Sequence, residues 1–214
     1  MPRVTRAEAA HHREAITEAS ARLFKEHGLK GVSVADLMGA AGLTHGGFYG
    51  HFESKDALAG VAVARAYAQA QERWHKRVAA QPDDPARRAA LVEAYLTPRS
   101  LKDVGLGCPT VALAGDVARE PADAPIRGAY VEGLDALLGI LATVEPDASA
   151  DPAAARAAAL ADYATMVGAL MLARASAGTP LCDELLAAAR ARLLPAAAVE
   201  NPPARKRARK STGA

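Results

Sequence analysis

Residues 41–58 read AGLTHGGFYGHFESKDAL, and residues 33–40 just before them read SVADLMGA. Ser33 is a good helix N-cap with Asp36 three residues on, and Val34, Leu37, Met38 and Ala41 recur at i, i+3, i+4 and i+7, one face of a helix. Ala41-Gly42-Leu43 is then a tight turn, after which Thr44 is placed to cap a third, short helix reaching about Phe52. Two short helices joined by a glycine-containing turn form the helix-turn-helix pattern. The second of them must lay its first residues against base edges while phosphate contacts hold the unit in place. Thr44 offers a small hydroxyl at that helix start, where free backbone N–H groups also favour a phosphate. His45 and Gly46 are the first positions able to face bases, and Tyr49, His51 and Lys55 present donors on the outward side. Gly46, Gly47 and Gly50 each cost a helix about 1 kcal/mol relative to alanine. Close approach to a DNA backbone or groove wall is a reason for such a cluster. Phe48 and Phe52, four apart, are expected to pack inward with Leu43.

Upstream, Thr5 and Glu8 have capping-box spacing and open a helix that carries Ile16, Ala19, Leu23 and Phe24 on one face and closes at His27-Gly28. Downstream, Ser54 caps a long helix from Lys55 to about Ala80, and Pro82 and Pro85 end it. Further helices are expected over about Ala86–Leu96, Pro109–Arg119, Pro125–Thr143, Pro152–Ala175 and Pro180–Leu194, with residues 97–107, TPRSLKDVGLG, as a loop. The expected fold is all-α with about nine helices. It comprises an N-terminal three-helix helix-turn-helix domain (1–54), a helical ligand-binding and dimerisation domain (55–196) and a disordered basic tail (197–214).

Composition agrees. Half of the chain is apolar, but aromatics are only 4%, and alanine, the best helix former, dominates. The net charge of +2 is uneven: taking Arg205, Lys206, Arg207, Arg209 and Lys210 from the 26 basic residues leaves 21 against 24 acidic ones. The tail therefore adds salt-sensitive affinity for any polyanion, while the body is slightly acidic. The first 15 residues lack the apolar stretch of a signal peptide, and no window approaches about 18 uninterrupted apolar residues, so a cytoplasmic protein with no membrane span is expected. Cys108 and Cys182 match no zinc spacing, and the adjacent His11 and His12 do not share a helical face, so neither a metal nor a cofactor is expected. A thiol enzyme would need a base beside Cys108, for which the sequence offers only His75; with no phosphate-cradling loop or nucleophile elbow, no enzyme is expected.

Over residues 21–58 the chain resembles the TetR family of bacterial regulators, most tellingly in the G-G-F-Y run at 46–49 and the H-F-x-S-K-D-A-L close at 51–58. The resemblance implies a homodimer on a near-palindromic operator in double-stranded DNA, and repression relieved by a small-molecule effector. A ligand-independent DNA-binding regulator or an activator of the same fold stays open. Carried over by position, Ser33, Thr44, Tyr49, His51 and Lys55 match phosphate-contacting positions, and His45 and Gly46 match base-reading ones. The chain departs from the pattern with His45 where lysine or arginine is common and with glycine at 47 and 50. DNA shape, or Arg3, Thr5 and Arg6, would then supply much of the specificity.

Residues 105–120 and 166–193 resemble a TetR subgroup that includes sensors of electrophiles or oxidants, in some of which a cysteine opens the sixth helix, the position of Cys108. A helix start stabilises thiolate, so Cys108 is a candidate reactive thiol, with a small packing residue as the alternative and no basic neighbour apparent in sequence. Tyr67, Trp74, Tyr95 and Tyr130 are candidate pocket aromatics or ordinary core, and Tyr163 is placed toward a partner subunit. The small-residue stripe Ala157, Ala161, Ala164, Gly168 and Ala175, with Leu181, Leu185, Leu186, Ala189 and Leu193, is the expected four-helix dimer seam.

Overall fold

Local hydrogen bonds decide where the first helices begin. In the computed structural model, which describes residues 5–146 and 148–194, Thr5 closes a capping box on α1 (Arg6–His27). Its Oγ1 accepts from the Glu8 amide at 3.2 Å, and the Glu8 carboxylate accepts from the Thr5 amide at 2.8 Å. Ser33 and Asp36 repeat the device on α2 (Val34–Ala40), and the bonds from Ser33 hold the Asp36 carboxyl below its usual range. Ser54 caps α3 (Lys55–Ala79) through the Ala57 amide at 3.0 Å. Gly28 ends α1 at φ 76°, the left-handed region that glycine enters without penalty.

Six helices follow: α4 (Asp84–Tyr95), α5 (Pro98–Lys102), α6 (Pro109–Arg119), α7 (Pro125–Ala142), α8 (Pro152–Ala175) and α9 (Pro180–Leu193). Each has proline in its first turn, where the missing N–H costs nothing. Two expectations are corrected. The stretch 97–107 is not all loop, because Thr97 accepts from the Ser100 amide and nucleates α5 with Pro98 at its start. The third helix of the expected helix-turn-helix is a 3-10 turn, η1 (His45–Gly50), and the Thr44 side chain makes no cap bond. Three glycines in six residues leave too little helical preference to sustain α geometry there. Residues 1–4, including Arg3, and the basic tail lie outside the described residues.

The helix α3 is the axis of the molecule, with α1 on one side and α7, its most extensive partner, on the other; α8 packs on α7 and α9. The α3–α7 approach depends on Gly133, where a Cβ would lie 2.1 Å from the Tyr67 ring. One continuous apolar core joins Phe24, Leu37 and Phe48 of the first unit to Tyr67, Leu113 and Leu141 of the second. Far from the first unit, Arg88 of α4 gathers Glu145 at 3.1 Å, Asp162 of α8 and the Leu193 carbonyl of α9. Burial raises the pKa of Glu145 while Arg88 opposes the shift.

The outer face of α8 is unusual. Ala157, Ala161, Ala164 and Ala175 of the expected seam are exposed, as are Leu160, Met171 and Leu172, the last at 57%. On α9 the expected seam is corrected: Leu186, Ala189 and Leu193 turn into the protein's own core and only Leu181 stands well out. By length and composition alone α8 is long and apolar enough to cross a membrane, with a mean hydropathy of 1.2. It nevertheless carries Asp162 paired to Arg88 and Arg156 paired to Asp135.

Candidate DNA-reading surface and ligand pocket

The turn η1 is held from two sides. From α1, the Arg13 guanidinium donates to the His51 carbonyl and lies 4.1 Å from the centre of the Phe52 ring. From inside, Phe48 and Phe52 stack with centroids 6.0 Å apart, both buried, as expected from their spacing. What the turn presents outward is therefore fixed. Thr44, His45, Gly46, Gly47, Tyr49 and Gly50 are all exposed, Tyr49 at 72%. Tyr49 meets the edge of Phe48 at 5.2 Å and leaves its hydroxyl to solvent. Ser33 lies exposed at the start of α2, and His51 is half-buried with its ring edge-on to His12 at 5.9 Å.

None of Gly46, Gly47 and Gly50 adopts the left-handed region. A Cβ at Gly46 or Gly50 would meet nothing within 4 Å, and one at Gly47 would make ordinary contact with the Met38 methyl at 3.6 Å. Nothing among the described residues requires these positions to be small. Lys55 differs from the other candidates. Its ammonium donates to the Leu29 carbonyl at 2.6 Å and to the Val32 carbonyl, fixing the α1–α2 connection to the start of α3. That leaves one of its three N–H groups for a phosphate.

The second site lies between α3, α4, α5 and α6, a cavity of about 350 Å³. Trp74, Tyr95 and Cys108, all singled out in the sequence, line it. Tyr67 and Tyr130 do not: their rings pack edge to face at 5.6 Å behind it. Tyr163, read toward a partner subunit, is corrected to the interior. The buried positions of α8 run 155, 159, 163, 166, 170 and 173, a helical stripe that was legible and carries Tyr163 inward. It forms an aromatic triad with Trp74 (5.9 Å) and Tyr95 (6.1 Å).

A hydroxyl relay crosses this region. The Tyr67 and Thr110 hydroxyls share a hydrogen bond at 2.9 Å, Thr110 and Tyr163 share another at 2.9 Å, and Tyr163 reaches the Cys108 Sγ at 3.3 Å. Burial holds the Tyr67 and Tyr163 phenols well above their usual pKa, so they remain neutral donors. The sequence showed no cation near Cys108, but the fold brings Arg73 of α3, Arg174 of α8 and Lys25 of α1 into electrostatic range of its sulfur. These residues are 35, 66 and 83 positions away in the chain, which is why sequence reasoning missed them, along with Thr110.

The cavity wall is also in contact with the N-terminal unit. Cys108 opens α6 at the cavity, and two turns on the Asp116 carboxylate accepts from the Leu29 amide at 3.0 Å. Gly105, just before the cavity wall, lies so close to α1 that a Cβ would meet the Arg22 and Glu26 side chains.

Comparison with known proteins agrees with this geometry. Residues 16–62 match the bacterial regulatory proteins of the tetR family. The transcriptional repressor DhaR of Mycobacterium sp. (strain GP1) is 31% identical over 86 residues, which are 38% of this chain and 43% of DhaR, so less than half of that relative's length is spanned. A TetR transcriptional regulator from Chloroflexus aurantiacus J-10-FL superposes with a TM-score of 0.71 at 26% identity, covering 87% of this chain and 94% of that one. The reduced form of E. coli NemR has the same fold, with a TM-score of 0.69 at 22% identity over 83% of this chain and 94% of its own. With its helix-turn-helix and all-helical second half, the chain carries over residues 16–62 the DNA-binding region of the tetR family of bacterial regulatory proteins and shares the fold of a solved TetR regulator.

Proposed function

We propose that the protein is a homodimeric, DNA-binding transcriptional repressor that leaves its operator when a small molecule fills the cavity between α3 and α6 or when Cys108 is modified. The observation that carries this reading is the turn η1, whose exposed glycines answer to no demand among the described residues. A surface kept smooth, flanked by Tyr49 and by the N-termini of α2 and η1, fits a groove wall and its phosphates. Ser33, Thr44, Tyr49 and His51 take the phosphate contacts, His45 and Gly46 face the bases, and Lys55 mainly braces the unit.

The exposed small-residue face of α8, with Leu160, Met171 and Leu172, is assigned to a second copy of the chain. Dimerisation sets the two reading turns about one helical repeat apart, roughly 35 Å, to reach successive major grooves. The effector must bind better to a dimer whose turns are spaced otherwise, and DNA must weaken it by the same factor. Two elements carry that preference: α3, which begins beside η1 and lines the cavity, and α6, which begins at Cys108 and holds Leu29 through Asp116.

The test is selection of bound fragments from randomised duplex DNA by the full chain, with sedimentation of the recovered complex. A near-palindrome bound by two copies supports the reading. Recovery of no motif, with only salt-sensitive binding to all duplexes, overturns it.

A further inference from the structure

The charge on the cavity wall does not balance. Arg73 and Arg77 sit one turn apart on α3 and so present both guanidiniums to the same space. Asp103, the one carboxylate among the described residues of the wall, is already paired with Arg99 at 2.8 Å. Glu72, the sequence neighbour of Arg73, is turned to Lys76 at 2.7 Å. Two like charges on adjacent turns repel, and the repulsion grows as protein replaces water around them. Burial first, and Arg77 in addition, hold the Arg73 guanidinium below its usual pKa. Both arginines are nonetheless exposed to solvent.

Deeper in, the Tyr95 hydroxyl is fully buried beside Cys108 and Tyr163 and makes no hydrogen bond of ordinary geometry among the described residues. An unpaired hydroxyl in the interior is unfavourable. Around the arginines and this hydroxyl lie apolar surfaces, Trp74, Leu137 and Leu170. The volume is at the lower end of what small-molecule sites occupy.

We infer that the ligand of this cavity is a small organic anion, its apolar body against Trp74, Leu137 and Leu170 and its acidic head bridging Arg73 and Arg77. A planar guanidinium accepts a carboxylate, sulfonate or phosphate in a two-point grip, and two of them one turn apart neutralise the head. Neutral and cationic ligands of the same shape leave the arginines unpaired and bind less well. The inference rests on the reading of this cavity as the effector site, and the two fail separately.

The probes are matched sets: 4-tert-butylbenzoate with its neutral amide and with 4-tert-butylbenzylammonium, and octanoate with octanamide. Affinity is read by calorimetry on the full chain. Location is read from Trp74, the single tryptophan of the chain, excited at its red edge. At least one acid is expected to bind more than tenfold tighter than its amide, to change the Trp74 emission and to lose that advantage at high salt. Arg73→Gln with Arg77→Gln is expected to remove the preference for the acid while melting no lower than the parent without ligand; Arg77→Gln alone is expected to remove part of it. Amides or the ammonium binding as tightly as the acids, no acid binding below millimolar concentration, or a double variant that melts lower and keeps its preference would each overturn the inference. Release from the selected operator is measured separately. An acid that binds at Trp74 without releasing DNA retains the anion site and ends its reading as an effector site.

Discussion

Gly46 and Gly50 in the DNA-reading turn and Gly133 in the second half of the molecule are glycines for opposite reasons. A Cβ on Gly133 would fall into the Tyr67 ring, whereas one on Gly46 or Gly50 would meet nothing. The first glycine is set by a neighbour within the fold. The other two stand on an exposed 3-10 turn that the fold would tolerate with side chains, at a cost to local order that only an outside partner repays. The same contrast runs through the polar groups. Tyr49 and Thr44 face solvent, while Tyr67, Thr110 and Tyr163 satisfy one another in the interior. On the proposed reading, one end of the molecule is shaped by the DNA it touches, and the other by what it holds within.

Gly46→Val is the harshest test of that contrast. The branched side chain finds open space in the protein, so stability should move by less than about 1 kcal/mol in thermal melts. Operator affinity in an anisotropy titration should fall by about a hundredfold, which is about 2.7 kcal/mol. Normal affinity in this variant would remove the reason given for the glycines of η1. Gly133→Ala should show the reverse. The added methyl forces the Tyr67 ring aside and disturbs its bond to Thr110, costing about 2 kcal/mol by overpacking. The melting temperature should drop by about 4–8 °C, as for a domain of this length. Operator affinity below the transition should hold within a few-fold. A melt unchanged from the parent would mean that α3 and α7 do not need their close approach.

The contrast also explains what could be read from the chain and what could not. The capping boxes at Thr5–Glu8 and Ser33–Asp36 and the cap at Ser54 span three residues each, so spacing alone revealed them. Phe48 and Phe52 were legible for the same reason, being one turn apart. The 3-10 geometry of η1 and the missing Thr44 cap escaped, because a local count of apolar spacing cannot weigh three glycines against an α turn. The cavity is built differently. Its relay joins residues 43 and 53 positions apart, and no period in the sequence encodes that Thr110 meets both Tyr67 and Tyr163. Trp74, Tyr95 and Cys108 were found because rare residues in an alanine-rich chain attract notice, and Arg73 and Arg77 were overlooked because surface arginines do not. Tyr67 and Tyr130 show the weakness of rarity as a guide, since both pack behind the wall.

Between the two ends, Asp116 should carry signal without carrying much of either function. Its bond to the Leu29 amide is one contact on a part-buried backbone. Asp116→Ala should leave the fold within about 1.5 kcal/mol and operator affinity within a few-fold. The factor by which a bound acid weakens operator binding should shrink by about five- to tenfold, within the usual range of coupling between sites. Full coupling in this variant would place the transmission on α3 alone.

The smallest expected effect concerns Lys25, a residue of the outward kind placed in the interior. It lies on α1, is only 4% exposed, and has its pKa lowered from the usual 10.5 to about 8 by burial and by Arg73, with Cys108, Glu18 and Glu26 opposing. Folding therefore disfavours its charged form. Between pH 8 and 10.5 the unfolded chain binds more of this proton than the folded one, so stability from this residue rises with pH across that window. Below pH 8 the full penalty applies. Lys25→Met should accordingly raise stability at pH 7 by about 1 kcal/mol, a melt higher by about 2–4 °C. It should also flatten the rise between pH 8 and 10 relative to the parent, which isolates the contribution of Lys25. If an organic acid binds between Arg73 and Arg77, its charge relieves Lys25 as well. The gain from the methionine variant should then shrink in saturating 4-tert-butylbenzoate, where the parent is no longer penalised. A gain of equal size with and without the acid would separate Lys25 from the cavity and leave it a cation that the fold merely tolerates.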